Sequence, residues 1–507
     1  MPPLDLDTSL EASEGESGAD AGVEGDGGPA PATLVIELPP FPVEQGSYSW
    51  LTARLEWDDG FIDEVTTACQ WTSGDPTALS VEDTGTDAGR LQPLSSGSID
   101  VTASYYDAGL DRTFTDTVTV DVLPQRVFRV TPSGLGVDAG ADGSDWAPFR
   151  TINAGLNAAV ADSEVWVAAG EYDVDDAVAL FFKPSVALLG GFAPDFSEHN
   201  PDAWESLVRN DGAGGGSGSE PVATLAARGT DVGSDVLIDG FTIEGPDGEY
   251  SAAVSVDEGA APRFTRNTIL GGPTTQGSAG VFVGLSAAPV FERNRISGGA
   301  SDNDSVGVYV TSGASSLLRN NLIHGGSGQT SSQGVFASDG SVVMIHANTI
   351  YGGVAPGGSD GIRVDDAAAS IVNNIIFANP GTSSAYGITG EGSADLYEVL
   401  NNNISTGVVY RDASGVSSTD VSHMEAELQS RGIPAADNHG FDIEAELIDP
   451  GGPDANIGTL VDNDWEPSAS APVEVREGGL DMSIDFDVDF EGTLRTVPWS
   501  IGAYEVD

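Results

Sequence analysis

The sequence has very little cysteine and almost no lysine. Cys69 is the only cysteine among 507 residues, which excludes an internal disulfide and a cysteine-based metal site. Lys183 is the only lysine, and Lys and Arg together number 19 against 79 Asp and Glu, for a formal net charge of −60. So acidic a surface repels phosphate backbones, which all but excludes nucleic acid as a partner.

The chain also lacks long apolar runs and a leader sequence. No apolar stretch reaches about 18 residues, so the sequence predicts no transmembrane segment. The first residues lack the basic and apolar regions of a signal peptide, so either the protein is cytoplasmic or a leader was removed or lies upstream, and we favour the second. The acidity has three interpretations: a solvated surface that keeps an elongated protein soluble, adaptation to high salt, or a set of Ca²⁺ ligands.

Two segments precede the main part of the chain. Residues 1–32 contain almost nothing to bury, which predicts a disordered acidic tether. Residues 33–124 alternate apolar and polar residues in short strands, which predicts a small β-sandwich with Trp71 in its core and Cys69 as a buried small hydrophobe. The pattern is carried by Leu51–Trp57, the Asp58-Asp59-Gly60 turn, Trp71-Thr72-Ser73 and Thr117–Val122. It resembles bacterial Ig-like group 2 modules, which usually serve as spacers on surface and secreted proteins.

Residues 125–148 are interpreted as a linker and a Gly-rich loop. In the following stretch Phe149, Ile152 and Leu156 fall at helical spacing, and Glu164–Tyr172 is typical of a strand that ends in a glycine turn. This run resembles the opening segment of DUF1565-type, pectate-lyase-like β-helix proteins. The resemblance implies a short helix that caps the first coil, where an exposed sheet edge would otherwise invite aggregation.

Two sequence elements repeat with one period. Asn-x-Ile begins at Asn267, Asn294, Asn321, Asn348, Asn374 and Asn402, at spacings of 27, 27, 27, 26 and 28 residues, and Phe241-Thr242-Ile243 is a first copy without asparagine. Glycines that open an alternating run lie at Gly280, Gly307, Gly334, Gly361 and Gly387, at spacings of 27, 27, 27 and 26. Units of this length with short strands are typical of a solenoid. We therefore predict an all-β fold, a right-handed parallel β-helix over residues 149–405 with about eight or nine coils.

The recurrent asparagines are interpreted as structural. Equivalent residues lie above one another in stacked coils, where Asn side chains can bond to each other and to the backbone as a ladder. Residues 406–507 are predicted to form C-terminal coils and a cap. Within them, Asp489–Arg495 and Ile501–Glu505 resemble the closing segment of many bacterial β-helix proteins, which implies a natural end of the fold.

Strand alternation predicts one outward-facing row of side chains. The row consists of Ser255, Phe282, Tyr309, Phe336, Arg363 and Thr389. Aromatic faces can pack against pyranose rings, and arginine can bond a carboxylate bidentately, so Phe282, Tyr309, Phe336 and Arg363 are candidate ligand-binding residues. The alternative is that long turns such as 273–279 fold over the rings and turn them into a second core.

Acidic residues near this row are candidates for catalysis. Asp304, Asp360 and Asp365, with Arg363, could supply the base of a polysaccharide lyase or the carboxylate pair of a glycoside hydrolase. No motif matches the catalytic strands of pectate lyases or polygalacturonases, and with 79 acidic residues some cluster anywhere. The sequence therefore leaves the catalytic residues unknown.

Two acidic runs are candidate Ca²⁺ sites. Asp138, Asp142 and Asp145 lie in the Gly-rich loop, and Asp485, Asp487 and Asp489 precede Gly492. A turn-forming role is the alternative for both, so Ca²⁺ is a candidate and no cofactor is certain.

Together these features favour a secreted or cell-surface, non-catalytic β-helix on an Ig-like stalk. We expect a monomer that binds extracellular polysaccharide or acts in adhesion. The alternatives are a polysaccharide lyase or glycoside hydrolase that acts on acidic polysaccharide, and a structural envelope protein.

Overall fold

The computed structural model describes residues 32–132, 140–174, 182–212, 216–218, 220–379, 381–442, 447–449 and 464–506. The predicted tether, apart from its last residue, and Asp138 lie outside this part of the chain. The chain divides into two compact units, Met1–Val43 with Tyr48–Val122, and Glu44–Ser47 with Leu123–Asp507.

The first unit consists of short antiparallel strands around its own core. The strands are Ala32–Glu37, Val43–Glu44, Ser49–Trp50, Thr52–Trp57, Ile62–Glu64, Gln70–Ser73, Leu79–Val81, Arg90–Pro93, Gly97–Asp107 and Arg112–Leu123, with single helical turns at Thr66–Ala68 and Gly85–Asp87. Trp71 is buried in this core, as predicted, and its Nε1 donates to the Thr66 carbonyl at 3.0 Å. Cys69 is buried beside it, and burial raises the pKa of its thiol to about 11, so this cysteine is a packing residue. The Ig-like character of the unit stays a prediction.

The second unit is a right-handed parallel β-helix made of three long sheets, as predicted. Sheet A contains Val127–Val130, Ser163–Ala168, Val186–Phe192, Leu237–Asp239, Arg263–Thr265, Val290–Glu292, Ser315–Arg319, Val342–His346, Ala368–Val372, Asp395–Leu400 and Ala435–Ala436. Sheet B contains Gly170–Asp173, Ser206–Arg209, Phe241–Glu244, Thr268–Leu270, Arg295–Ser297, Leu322–His324, Thr349–Tyr351, Ile375–Phe377 and Asn403–Ser405. Sheet C contains Val222–Arg228, Gly248–Asp257, Thr274–Val283, Asp304–Val310, Ser331–Ser338, Ser359–Asp365, Ala385–Glu391, Val408–Arg411 and Ser417–Ser418, with Ala300–Ser301 and Ser327–Gly328 at its side.

Each coil passes from sheet A to sheet B and then to sheet C. The isoleucines of the Asn-x-Ile element stack in register on sheet B, from Ile243 through Ile269 to Ile404, and they are almost completely buried. One side chain of each coil therefore adds to a continuous apolar interior, and the apolar area buried in it supplies the main driving force of folding.

The predicted asparagine ladder is confirmed at the turn between sheets A and B. Each ladder asparagine donates from Nδ2 to Oδ1 of the next, at 2.9–3.1 Å from Asn267 to Asn438. Its backbone N–H donates to the same oxygen. Nδ2 also donates to a carbonyl of the preceding coil, such as Phe291 for Asn321. The Phe241 N–H donates to Asn267 Oδ1, so this first copy joins the ladder through its backbone alone.

Short helices cover both ends of the interior. Ile152–Ala158 begins at Thr151, whose Oγ1 accepts from the Ala154 N–H at 3.2 Å, and it buries Ile152 and Leu156. Val421–Ser430 begins at Asp420, whose side chain accepts from the His423 N–H, and it buries Met424 and Leu428. Both helices carry polar N-cap residues, which are favoured at that position, and both contribute to the main core.

Residues 464–506, here called the C-terminal strap, run back along the outside of the coils. They begin with Asp464–Pro467, which pairs with Leu447–Asp449, and include the helical turn Val473–Arg476. The strap follows the turn between sheets A and B. There the Nδ2 groups of Asn401, Asn373 and Asn320 donate hydrogen bonds to the backbone carbonyls of Gly478, Leu480 and Val488. The Leu480 N–H also donates to Asn373 Oδ1. These three asparagines have positive φ values of 53–60°, a conformation that asparagine tolerates better than most residues. Each immediately precedes a ladder asparagine.

Candidate functional site

The predicted outward row is present on sheet C. Ser255, Phe282, Tyr309, Phe336, Arg363 and Thr389 are register partners in successive coils. The 27-residue period therefore identified this column correctly from sequence.

The aromatic rings of the row pack against one another. Tyr309 and Phe336 stack with centroids 4.9 Å apart and an interplanar angle of 8°, while Phe282 meets Tyr309 edge to face at 5.7 Å. The Arg363 guanidinium covers the other side of Phe336 at 5.0 Å. Both faces of Phe336 are thus occupied, and stacking of a sugar ring on it, as the sequence suggested, is not available.

Phe282 is buried, as are Ser255 and Thr389 at the two ends of the row. It is only 3% exposed and packs with Ala252 and Ala279 in a small cluster of its own. Tyr309, Phe336 and Arg363 are half-buried. The second-core alternative left open by the sequence therefore applies to Phe282.

Beside the row lies a cavity of about 270 Å³, here called the sheet C groove. One wall is formed by Tyr250, Gly277, Asp304 and Ser331, which are register partners in four successive coils. The other wall is formed by Phe282, Tyr309, Phe336 and Arg363. Between them lie Ala279, Val306 and Gln333, again in register. The two walls together cross five successive coils, so at about 4.8 Å per coil the groove spans roughly 20 Å along the stack.

Tyr250 and Gln333 were not among the residues predicted from the sequence. The same period would have found Tyr250, because it precedes Asp304 by two coils and Gly277 stands between them. A Cβ atom at Gly277 would come within 3.0 Å of the Tyr250 ring, so a glycine is needed for this ring to reach the groove.

Acidic partners already compensate the charge of Arg363. Its Nη2 lies 2.6 Å from Glu391 Oε2 and 3.6 Å from Asp365 Oδ2, and Glu391 also contacts Arg411 at 3.5 Å. Asp304 Oδ1 accepts a hydrogen bond from Ser331 Oγ at 2.6 Å. The groove thus presents one compensated cation and one carboxylate with no cationic partner among the described residues.

Asp360 is the register partner of Gln333 in the next coil, so it extends the row of Ala279, Val306 and Gln333 between the two walls. Burial raises the pKa of Asp360 to about 6, and the Arg363 guanidinium opposes this rise. A carboxyl group with a pKa near neutrality can act as a proton donor or acceptor. Of the predicted catalytic candidates, Asp360, Arg363 and Asp365 lie on one strand, and Asp304 lies two coils away.

Asp360 should make stability depend on pH. Its folded pKa of about 6 lies above the ordinary value of 3.8, so its stabilising contribution is complete below pH of about 4 and is lost as the pH rises through about 6. Asp360→Asn stays neutral throughout. We expect its stability relative to the natural protein to rise by on the order of 2 kcal/mol between pH of about 4 and 7, measured by urea unfolding. A constant difference across this range would contradict the raised pKa.

The candidate Ca²⁺ ligands do not converge in the described part of the chain. Asp145 pairs with Arg129 at 2.6 Å, and Asp142 accepts from the Ser144 N–H. Asp489 is buried and accepts from the Thr493 and Glu505 N–H groups, while Asp485 and Asp487 are exposed. Within the described residues no group of three or more Asp, Glu, His or Cys side chains could hold a metal ion. Asp138 lies outside these residues, so its role stays a prediction.

Comparison with known proteins gives one family match and several solved structures. Residues 232–424 match the family described as right handed beta helix region. The matched residues include the coils that form the groove walls. Pectate lyase Pel9A aligns at 11% identity over 76% of this chain and 97% of its own, with a TM-score of 0.40. XylC in complex with xylose aligns at 12% identity over 89% and 74%, with a TM-score of 0.34. The A-module of the mannuronan C-5 epimerase AlgE4 from Azotobacter vinelandii aligns at 15% identity over 49% and 88%, with a TM-score of 0.20. No curated protein matches the chain.

Proposed function

We propose that this right-handed parallel β-helix binds an uncharged extracellular polysaccharide in the sheet C groove without cleaving it. The observation that carries the proposal is the groove itself, which is lined over successive coils by aromatic side chains and by hydrogen-bonding groups. Concave sites that combine apolar walls with a few polar groups are typical of ligand binding. A groove that crosses five coils suits an extended polymer better than a compact ligand.

Charge supports an uncharged ligand. Arg363 is neutralised by Glu391 and Asp365, Asp304 lines the groove, and the whole chain carries a formal charge of −60. An anionic polymer would have to displace Glu391 from Arg363 and overcome the field of the surrounding carboxylates. The acidic polysaccharide expected for a lyase is therefore a poorer fit than a neutral one.

The ring geometry supports contact through hydrogen bonds and ring edges. Tyr309 and Phe336 cover each other's faces, so the polar groups of the groove would orient the ligand. Gln333 lies on the floor, and its Nε2 donates to Ser331 Oγ at 2.9 Å. Hydroxyl groups of a sugar can both donate to and accept from such amide and hydroxyl side chains.

Affinity gel electrophoresis tests this proposal. We expect a soluble neutral polysaccharide such as galactomannan to retard the protein, and polygalacturonate to have no such effect. Tyr250→Ala should weaken retardation about tenfold, since a tyrosine that contributes to binding is commonly worth that much. Tyr106→Ala is the matched control, because Tyr106 is 57% exposed in the first unit. Retardation by polygalacturonate alone, or equal effects of the two variants, would overturn the proposal.

One observation favours a second function, glycoside hydrolysis. The pKa of Asp360 is raised to about 6 by burial, which suits a general acid. Incubation with the same polysaccharides, followed by assays for new reducing ends and for unsaturated products, separates the two functions. Product release that disappears in Asp360→Asn would replace binding by catalysis.

We place this function outside the cell, because the ligand class is extracellular. No helix in the described part of the chain is long and apolar enough to cross a membrane.

A further inference from the structure

A second cavity, of about 190 Å³, lies at the turn between sheets A and B, where the C-terminal strap passes Phe490. We call it the arginine pocket. Its lining includes Arg266, Arg293 and Arg295, the acidic residue Asp202, and Phe490 and Glu491 of the strap. Three arginines around one cavity are unusual in a chain that has 19 basic residues and 79 acidic ones.

Two of the three guanidinium groups have no acidic partner. Arg266 is paired with Asp239, to which both its Nε and its Nη2 donate. For Arg293 and Arg295, no carboxylate of the described residues lies within the 4.0 Å that defines an ion pair, although the carboxylates of Asp202 and Glu491 line the same cavity. These two guanidinium groups thus form no ion pair with the described residues.

Arg295 also has an unused donor. Its Nη1 is buried and has no hydrogen-bond partner among the described residues, and its guanidinium lies 4.9 Å from the centre of the Phe490 ring. A buried donor without an acceptor is destabilising, because it has lost its hydrogen bonds to water. This donor is therefore free to bond an acceptor that enters the cavity from solution.

Arg293 is held in place from the other side. Its Nε donates to the Phe490 carbonyl at 2.8 Å. Gly492 has a φ of +85°, and a Cβ atom there would lie 2.6 Å from Arg293 Nη2. The strap thus fixes this side chain before any ligand arrives, which lowers the entropic cost of binding.

We propose that the arginine pocket binds a small oxyanion, a carboxylate or a sulfate group, between Arg293 and Arg295. Planar guanidinium groups form paired hydrogen bonds with such groups, and an oxyanion would satisfy the buried Arg295 donor. Asp202 and Glu491 are the competitors, since both carboxylates line the cavity without forming an ion pair with either arginine. This site involves sheet B and the strap, whereas the groove lies on sheet C, so the two are independent.

Isothermal titration calorimetry of the full chain tests the site, with sodium sulfate, sodium acetate and sodium glucuronate as titrants at matched ionic strength. We expect one site per chain for at least one of them, and the comparison distinguishes an inorganic anion from a sugar carboxylate. Arg295→Met should weaken binding at least about tenfold, because it removes the unused donor. Glu491→Gln should tighten it several-fold, because it removes one of the two competing charges.

Arg112→Met is the matched control. Arg112 also lies over a phenylalanine ring, that of Phe114 at 4.6 Å, but belongs to the first unit. It should leave anion binding unchanged. Absence of binding in both the natural protein and Glu491→Gln would overturn the proposal, as would equal binding by Arg295→Met and Arg112→Met. The Glu491→Gln result keeps the test decisive even if Arg295→Met loosens the strap.

Discussion

Replacing Asn321 by leucine should lower the free energy of unfolding of the β-helix by about 4 kcal/mol. Asn321 lies in the middle of the ladder and is completely buried. Its Oδ1 accepts from both the backbone N–H and Nδ2 of Asn294, and its own Nδ2 donates to the Phe291 carbonyl and to Asn348. Leucine has a similar size but can make none of these bonds.

The size of the effect follows from the groups left behind. The Asn294 N–H loses its acceptor and the Phe291 carbonyl loses a donor, both in the interior of the stack. Each unsatisfied buried group costs about 1–3 kcal/mol, and in a solenoid the loss falls on the interface between neighbouring coils.

Urea unfolding followed by far-ultraviolet circular dichroism measures this loss. Asn157→Ala is the control, because Asn157 is exposed on the capping helix and its side chain is outside the ladder. We expect that control to stay within about 0.5 kcal/mol of the natural protein. A loss below about 1 kcal/mol for Asn321→Leu would mean that the ladder contributes little to stability.

Trp465→Ala should release the C-terminal strap from sheet B. Trp465 is completely buried and packs at 5.6 Å from Phe377, 6.2 Å from His324 and 6.3 Å from Tyr351. Truncation of a buried tryptophan to alanine costs about 3–5 kcal/mol. Because the strap is held by this cluster and by hydrogen bonds along one turn, most of that cost should appear as local opening.

Limited proteolysis with mass spectrometry detects this opening. When opening is fast, the cleavage rate follows the population of the open form. A change of about 4 kcal/mol would therefore raise cleavage within residues 464–506 by more than about a hundredfold. Trp50→Ala, at a tryptophan that is 51% exposed, should leave the strap protected. Unchanged protection in Trp465→Ala would show that the strap does not depend on this core.

The ladder asparagines could be predicted from the sequence, whereas the asparagines that contact the strap could not. The spacing of Asn294, Asn321 and Asn348 was enough to predict the ladder, because each bonds its equivalent and the backbone of the neighbouring coil. Asn320, directly before Asn321, repeats less regularly, and its partners are Val488 and Arg495 of the strap. Contacts so distant in sequence leave no local pattern, so this role became visible only in the folded chain.

In the groove, too, some features were predictable from the sequence and others only from the folded chain. Alternation and period placed Phe282, Tyr309 and Phe336 in one outward column, since both depend only on backbone geometry. The directions of the ring faces depend on side-chain torsions and on packing against the neighbouring ring, and no spacing encodes them. The compensation of Arg363 by Glu391 likewise needed the register of the next strand.

The sequence by itself determined the coil: its period, its inward isoleucines, its ladder and its outward column. These follow from a local pattern that each coil repeats, so its stabilising contacts are with the nearest neighbours. Only the tertiary structure decided where the C-terminal strap lies and which ring faces and which charges remain free. Those features rest on single contacts between distant residues, and the arginine pocket is one of their results.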